Sequence, residues 1–154
     1  MTAFAAHYGL DEMRGYVPQA AKRVEGISGW SVGMHLHHVN LAMIGVFRSL
    51  AASEPPVPQS AFNPVRAMVF TSGRIPRGRA KSPEAAVPSD GIGDAELVAM
   101  LDESERLLEA SRTLSPDHWY RHFAFGVLDR DRTLKFIRIH NRHHLRIVRD
   151  ILRA

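Results

Sequence analysis

The sequence predicts an all-α protein, a four-helix bundle with one long crossover loop, and three observations predict it. Apolar residues recur at steps of three and four along four separate stretches. No long run alternates Val or Ile with polar residues, so a sheet has little support. Prolines and glycines gather mainly between the apolar stretches. At 154 residues the chain fits one domain over residues 1–154, long enough to bury a core without cross-links.

Leu10, Met13, Val17, Ala20 and Val24 make the stripe of a first helix over about residues 9–24. Pro18 lies inside it and kinks or shortens it. A second helix starts near Trp30, with Ser31 as N-cap, and runs to about Ala52, where Pro55, Pro56 and Pro58 stop it. A shorter helix follows around Pro64–Phe70. Residues 73–93 carry Gly73, Pro76, Gly78, Pro83, Pro88, Gly91 and Gly93 and read as a long connection, a kind that is commonly functional. A third long helix opens at Asp94 as N-cap and runs to about Arg112, with Leu97, Leu101, Ser104, Leu108 and Ser111 on one face. Ser115–Pro116–Asp117 opens a short turn or helix, and the last helix covers about Asp131–Ile151.

Composition narrows the chemistry. There is no cysteine, so disulfides, thiolate metal sites and a protein thiol nucleophile are excluded. No segment is long and apolar enough to span a membrane, and no signal peptide is visible, which makes a cytoplasmic location the expectation. The net charge of +4 comes mostly from arginines dispersed among acids, a solvated surface before a nucleic-acid face. The basic run Arg74, Arg77, Arg79 and Lys81 has no interleaved aromatic residue on which bases would stack, so nucleic acid is a poor partner. The same run suits a lid that attracts an anionic group, or a solvated loop.

Nine histidines is a high count, and their placement is informative. In the last helix Lys135, Arg138, Arg142, Arg146, Arg149 and Arg153 form the solvent face. The opposite seam reads Ile137, His140, His144, Ile147, Ile151, so two histidines one turn apart point inward among isoleucines. In the second helix His38, Leu41, Ala42 and Gly45 form the inward stripe, with small Ala42 and Gly45 allowing close approach. His35 lies one turn before His38, while His37 falls with Asn40 and Arg48 on the outer side. One histidine from one helix and two from another give three neutral nitrogen ligands for zinc, nickel or iron, with a coordination position left open. The bland alternative is a set of hydrogen-bonded core histidines.

The segment Trp30-Ser31-Val32-Gly33-Met34-His35-Leu36-His37-His38-Val39 resembles a helix-two motif of the DinB/YfiT-like superfamily, and His140-Asn141-Arg142-His143-His144-Leu145 resembles its terminal motif. Gly73-Arg74-Ile75-Pro76-Arg77-Gly78, Ser82-Pro83-Glu84 and His122-Phe123-Ala124-Phe125-Gly126-Val127-Leu128 are similar to an uncharacterised DinB-like subfamily with a His-Pro-x-Phe-Gly-x-Leu stretch. This chain has Phe123 in place of that proline and Thr133 where an aromatic residue is common. The resemblance spans about residues 10–152. It implies a DinB/YfiT-type four-helix bundle with His38, His140 and His144 as ligands to a divalent metal ion.

It also implies a small-molecule substrate, a possible homodimer, and an activity like that of metal-dependent transferases that use a low-molecular-weight thiol, or of hydrolase-like members. A non-catalytic metal-binding or stress-related module is the alternative. His122, before the last helix, and His35, beside the ligands, are the candidates for catalytic support, against ordinary surface or core roles. Trp119, Tyr120, Phe123 and Phe125 form an aromatic cluster that either lines a pocket or packs the core.

Overall fold

The longest helices begin where the sequence supplies a cap or a helix-favouring first turn. A computed structural model of the protein describes residues 3–78 and 81–154. Its helices are α1 (Ala3–His7), α2 (Leu10–Tyr16), α3 (Val32–Ala52), α4 (Pro64–Ser72), α5 (Asp94–Arg112) and α6 (Arg130–Arg153). Ser31 caps α3 by accepting from the Met34 amide at 3.2 Å, as its residue type predicts. Asp129 caps α6 by accepting from the Arg132 amide at 2.8 Å. At α5 the cap position is Gly93, one residue before the expected Asp94; Asp94 instead joins Glu96 in the first turn, where their charges complement the helix dipole.

The first apolar stretch does not carry one helix to residue 24. Pro18 lies in a 3-10 turn, Val17–Gln19, immediately after α2. The chain then docks on the start of α3, where the Gly33 amide donates to the Ala20 carbonyl at 2.8 Å. A Cβ at position 33 would sit 3.1 Å from that oxygen, so a larger residue would push the Ala20 backbone back by a few tenths of an ångström.

The all-α expectation is overturned. Between α5 and α6, β1 (Trp119–His122) and β2 (Gly126–Asp129) pair antiparallel, Trp119 opposite Asp129 and His122 opposite Gly126. With six helices and this hairpin among the described residues, the fold is not a pure four-helix bundle. The strands are only four residues long, too short for alternation to stand out in sequence. The turn is fixed by His122, whose Nδ1 accepts from the amides of Ala124 at 3.0 Å and Phe125 at 3.2 Å, and by Gly126 at φ 71°.

The core lies among α2, α3, α5 and α6. Leu10, Met13, Leu36, Met43, Phe47, Leu97, Leu101, Leu108, Ile137 and Ile151 are sealed within it. The predicted α5 face is buried throughout, including Ser104 and Ser111. Ser104 Oγ donates to Asn40 Oδ1 at 2.7 Å, and the Asn40 amide donates to the Leu36 carbonyl at 2.8 Å, which satisfies a polar pair inside the core.

The inward face of α3 is rotated from the expected one. Gly45 is exposed with open space beyond it, whereas Asn40, Met43, Val46, Phe47 and Leu50 are buried. At the helix start both flanks are covered, so His37 and Asn40, expected outside, are inside. No described helix is long and apolar enough to cross a membrane.

Candidate metal centre

Residues 35–38 of α3 and residues 140–144 of α6 face one another, and the facing side chains are imidazoles. One nitrogen each of His38, His140 and His144 lies within 4.8 Å of the others. Their ring centroids are 4.6–5.0 Å apart. Seam spacing on α6 thus does what it predicts: two rings one turn apart meet one ring from the neighbouring helix.

Proton accounting gives the cluster its character. His38 Nδ1 lies 2.6 Å from the Ala86 carbonyl, which only accepts, so Nδ1 carries the proton and Nε2 is a bare lone pair. That Nε2 lies 3.1 Å from His140 Nε2. His140 Nδ1 and the neighbouring Asn141 Oδ1 are both buried without a hydrogen bond of good geometry. Asn141 is oriented by its amide, which donates to the Tyr8 carbonyl at 3.0 Å, leaving Oδ1 as the unpaired acceptor. Against burial and the neighbouring histidines, which lower the His140 pKa, Asn141 is only a minor upward influence. With the His140 proton on Nε2 the 3.1 Å contact is an N–H···N hydrogen bond to His38; with it on Nδ1 the two Nε2 lone pairs face one point and are free for a cation.

The distance suits an ion. Two imidazole nitrogens on tetrahedral zinc stand ~3.4 Å apart, given zinc–nitrogen bonds of about 2.0–2.1 Å. Burial holds the rings in the neutral, ligating form. His140 and His144 are driven well below the usual imidazole range, chiefly by desolvation and then by neighbouring histidines. Burial also lowers His38, against the pull of the Ala86 carbonyl. These residues fit a divalent metal.

His35 belongs to the cluster. Its Nδ1 is 3.0 Å from His144 Nδ1 and its Nε2 is 3.0 Å from Ser28 Oγ. Desolvation lowers its pKa to about 4. Half-buried Trp30 covers one side, with its ring nearly parallel to that of His144 at 6.2 Å and tilted on those of His35 and His38 at 5.3 and 5.1 Å.

The other histidines part company with the triad. His37 Nδ1 accepts from the Ser89 amide at 3.0 Å, so adjacent His37 and His38 each tie down the crossover. His122 holds the hairpin turn and stacks between Phe123 and Phe125, at 4.5 and 4.3 Å, with Phe136 edge-on at 4.6 Å. That accounts for it as a structural residue, and the aromatic cluster serves mainly this packing; Phe123 is 65% exposed. His143 packs edge-on against His144 at 5.0 Å and borders a cleft with Arg74, Ile75, Arg77 and Arg146. Arg79 of the basic run lies outside the described residues, and Lys81 is exposed.

Sequence reasoning misses Ala86, Ser28 and Asn141. A main-chain carbonyl leaves no trace in residue type, so Ala86 has no signal. Asn141 has one: a polar residue beside a ligand and off the arginine face.

No curated protein and no solved structure matches the chain. One family model matches residues 17–151, a span that contains the three histidines and nearly all of the core that positions them. The chain belongs to that family, described as protein of unknown function (DUF1569).

Proposed function

We propose that this protein binds one divalent metal ion, zinc, nickel or iron, through His38, His140 and His144. The observation that carries this reading is the convergence of one nitrogen each of His38, His140 and His144 within 4.8 Å, with the His38 Nδ1 proton committed to Ala86 so that its Nε2 offers a lone pair. His144 contributes Nε2, because its Nδ1 is engaged by His35. The resemblance of the Trp30–Val39 and His140–Leu145 segments to motifs of the DinB/YfiT-like superfamily supports the same ligand set.

A divalent ion held by these three neutral ligands would keep its full charge and would supply a Lewis acid able to acidify a water or a thiol. The chain's own residues shape what surrounds it. Trp30 shields one side of the rings from water. Ala86 fixes the tautomer of His38, and His35 can fix that of His144. No carboxylate hydrogen-bonds the three rings among the described residues; their partners are the Ala86 carbonyl and other histidines. The reaction class that fits is transfer to, or hydrolysis of, a small electrophilic molecule, with a low-molecular-weight thiol or water as the nucleophile.

Metal content by mass spectrometry of tag-free protein tests the reading. About one equivalent per chain, lost in His144→Ala, is expected. No metal after reconstitution with zinc, nickel and iron in turn overturns it and leaves the histidines as core polar residues.

A further inference from the structure

A cleft of about 290 Å³ opens beside the histidine cluster, lined by Arg74, Ile75, Arg77, His143 and Arg146. Elsewhere on the surface arginines are commonly matched to carboxylates, as Arg14 is to Asp102, Arg48 to Glu103 and Arg149 to Glu12. In the cleft only Arg77 is matched, to Asp150 at 2.7 Å, which braces the loop after α4 against α6. Arg74 and Arg146 have no acidic partner among the described residues, so two unneutralised guanidiniums border one concavity. Ile75 gives it an apolar wall. Its other wall, His143, is packed against the ligand candidate His144 with ring centroids 5.0 Å apart. His143 therefore touches both the basic cleft and a member of the triad.

We infer that this cleft seats an oxyanionic group, a carboxylate or a phosphate, of a small molecule whose other end reaches the metal. The ligand class is bifunctional: an oxyanion, a short apolar linker lying along Ile75, and a metal-binding or reactive group. Guanidinium forks recognise planar carboxylates and phosphate oxygens directly, and a charge held in place orients the rest of the molecule. This rests on the metal reading for its second half only; the anion seat stands on the arginines.

The test has two arms. In the first, zinc-loaded and metal-free protein are titrated with inorganic phosphate and with succinate at low ionic strength, and amide shifts are followed by NMR. Saturable shifts confined to residues 74–77 and 143–146 are expected, weakened at least about tenfold in Arg74→Gln/Arg146→Gln, a double variant that keeps its metal content and helical spectrum. Shifts scattered over other arginines, or equal binding by the double variant, overturn the seat. Phosphate binding without succinate binding assigns the site to phosphates, and the converse assigns it to carboxylates. In the second arm, cobalt-loaded protein is compared with acetohydroxamate and with the monohydroxamate of succinic acid by visible absorption. The carboxylate-bearing probe is expected to bind at least about tenfold more tightly to wild type and equally to the double variant. Equal binding to wild type overturns the link between cleft and metal. Failure to load cobalt counts against the metal reading, while the first arm still decides the anion seat.

Discussion

The Nδ1 atoms of His35 and His144 face each other at 3.0 Å, a hydrogen bond that needs one proton between the rings, and the ring that owns it decides whether His144 Nε2 can ligate. If His144 donates, His35 passes its own Nε2–H to Ser28 Oγ at 3.0 Å and His144 Nε2 is bare. If the relay runs the other way, His144 Nε2 is protonated and useless to a cation. Ligation through His144 Nε2 requires the first direction. His35→Ala removes the acceptor, and zinc affinity by chelator competition is expected to fall about 10–100-fold while stoichiometry at saturation stays at one. Unchanged affinity would mean that His35 is only a neighbour.

Trp30 offers an internal reporter. Its ring lies 5.1–6.2 Å from those of His35, His38 and His144, whereas Trp119 is in the hairpin with its indole N–H on the Glu54 carbonyl. Nickel or cobalt is expected to quench the Trp30 component of the emission. Trp119→Phe keeps the quench and Trp30→Phe abolishes it; the reverse pattern would locate the ion elsewhere.

Ser104 is expected to matter for stability and not for metal. Ser104→Ala strands the buried Asn40 Oδ1, at a cost of about 1–3 kcal/mol in urea unfolding. Zinc affinity in the folded variant should match wild type. A loss below a few tenths of a kcal/mol would show that Asn40 finds another donor.

Acid sensitivity should have a contribution from the hairpin. Burial lowers His122 from 6.5 to about 4, so between these values the unfolded chain binds a proton that the folded chain refuses. The sign follows: this contribution is fully present above pH 6.5 and is lost as pH falls through 4, by about 3 kcal/mol in all. His122→Asn keeps an acceptor for the Ala124 and Phe125 amides without titrating. Its unfolding free energy should therefore fall less steeply between pH 6.5 and 4 than that of wild type. Parallel curves would refute the assignment.

Much of the site was legible because helices repeat. On α6 one period sorts arginines from isoleucines and histidines, and His140 and His144 follow from it. On α3 the same logic finds His38 but mislays the inward face beyond it, since a helix buried on several sides has no single stripe: Asn40 is sealed while Gly45 is bare. The Trp119–Asp129 hairpin was hidden by its brevity and by His122, whose side chain performs a turn function that histidine rarely signals. The supporting contact to His38 depends on which atoms tertiary packing brings together, the Ala86 carbonyl across the crossover, and residue order alone does not state that.

The bond from His38 to the Ala86 carbonyl reaches across 48 positions of sequence to a short turn in the middle of the crossover. Because the acceptor is main chain, the bond that orients the ring does not depend on the identity of any side chain in that turn, provided the turn keeps its shape. Loop sequence and ligand geometry are thereby decoupled, whereas loop shape and ligand geometry are locked together. Insertions that move the turn, rather than substitutions within it, are the changes that would disarm the centre.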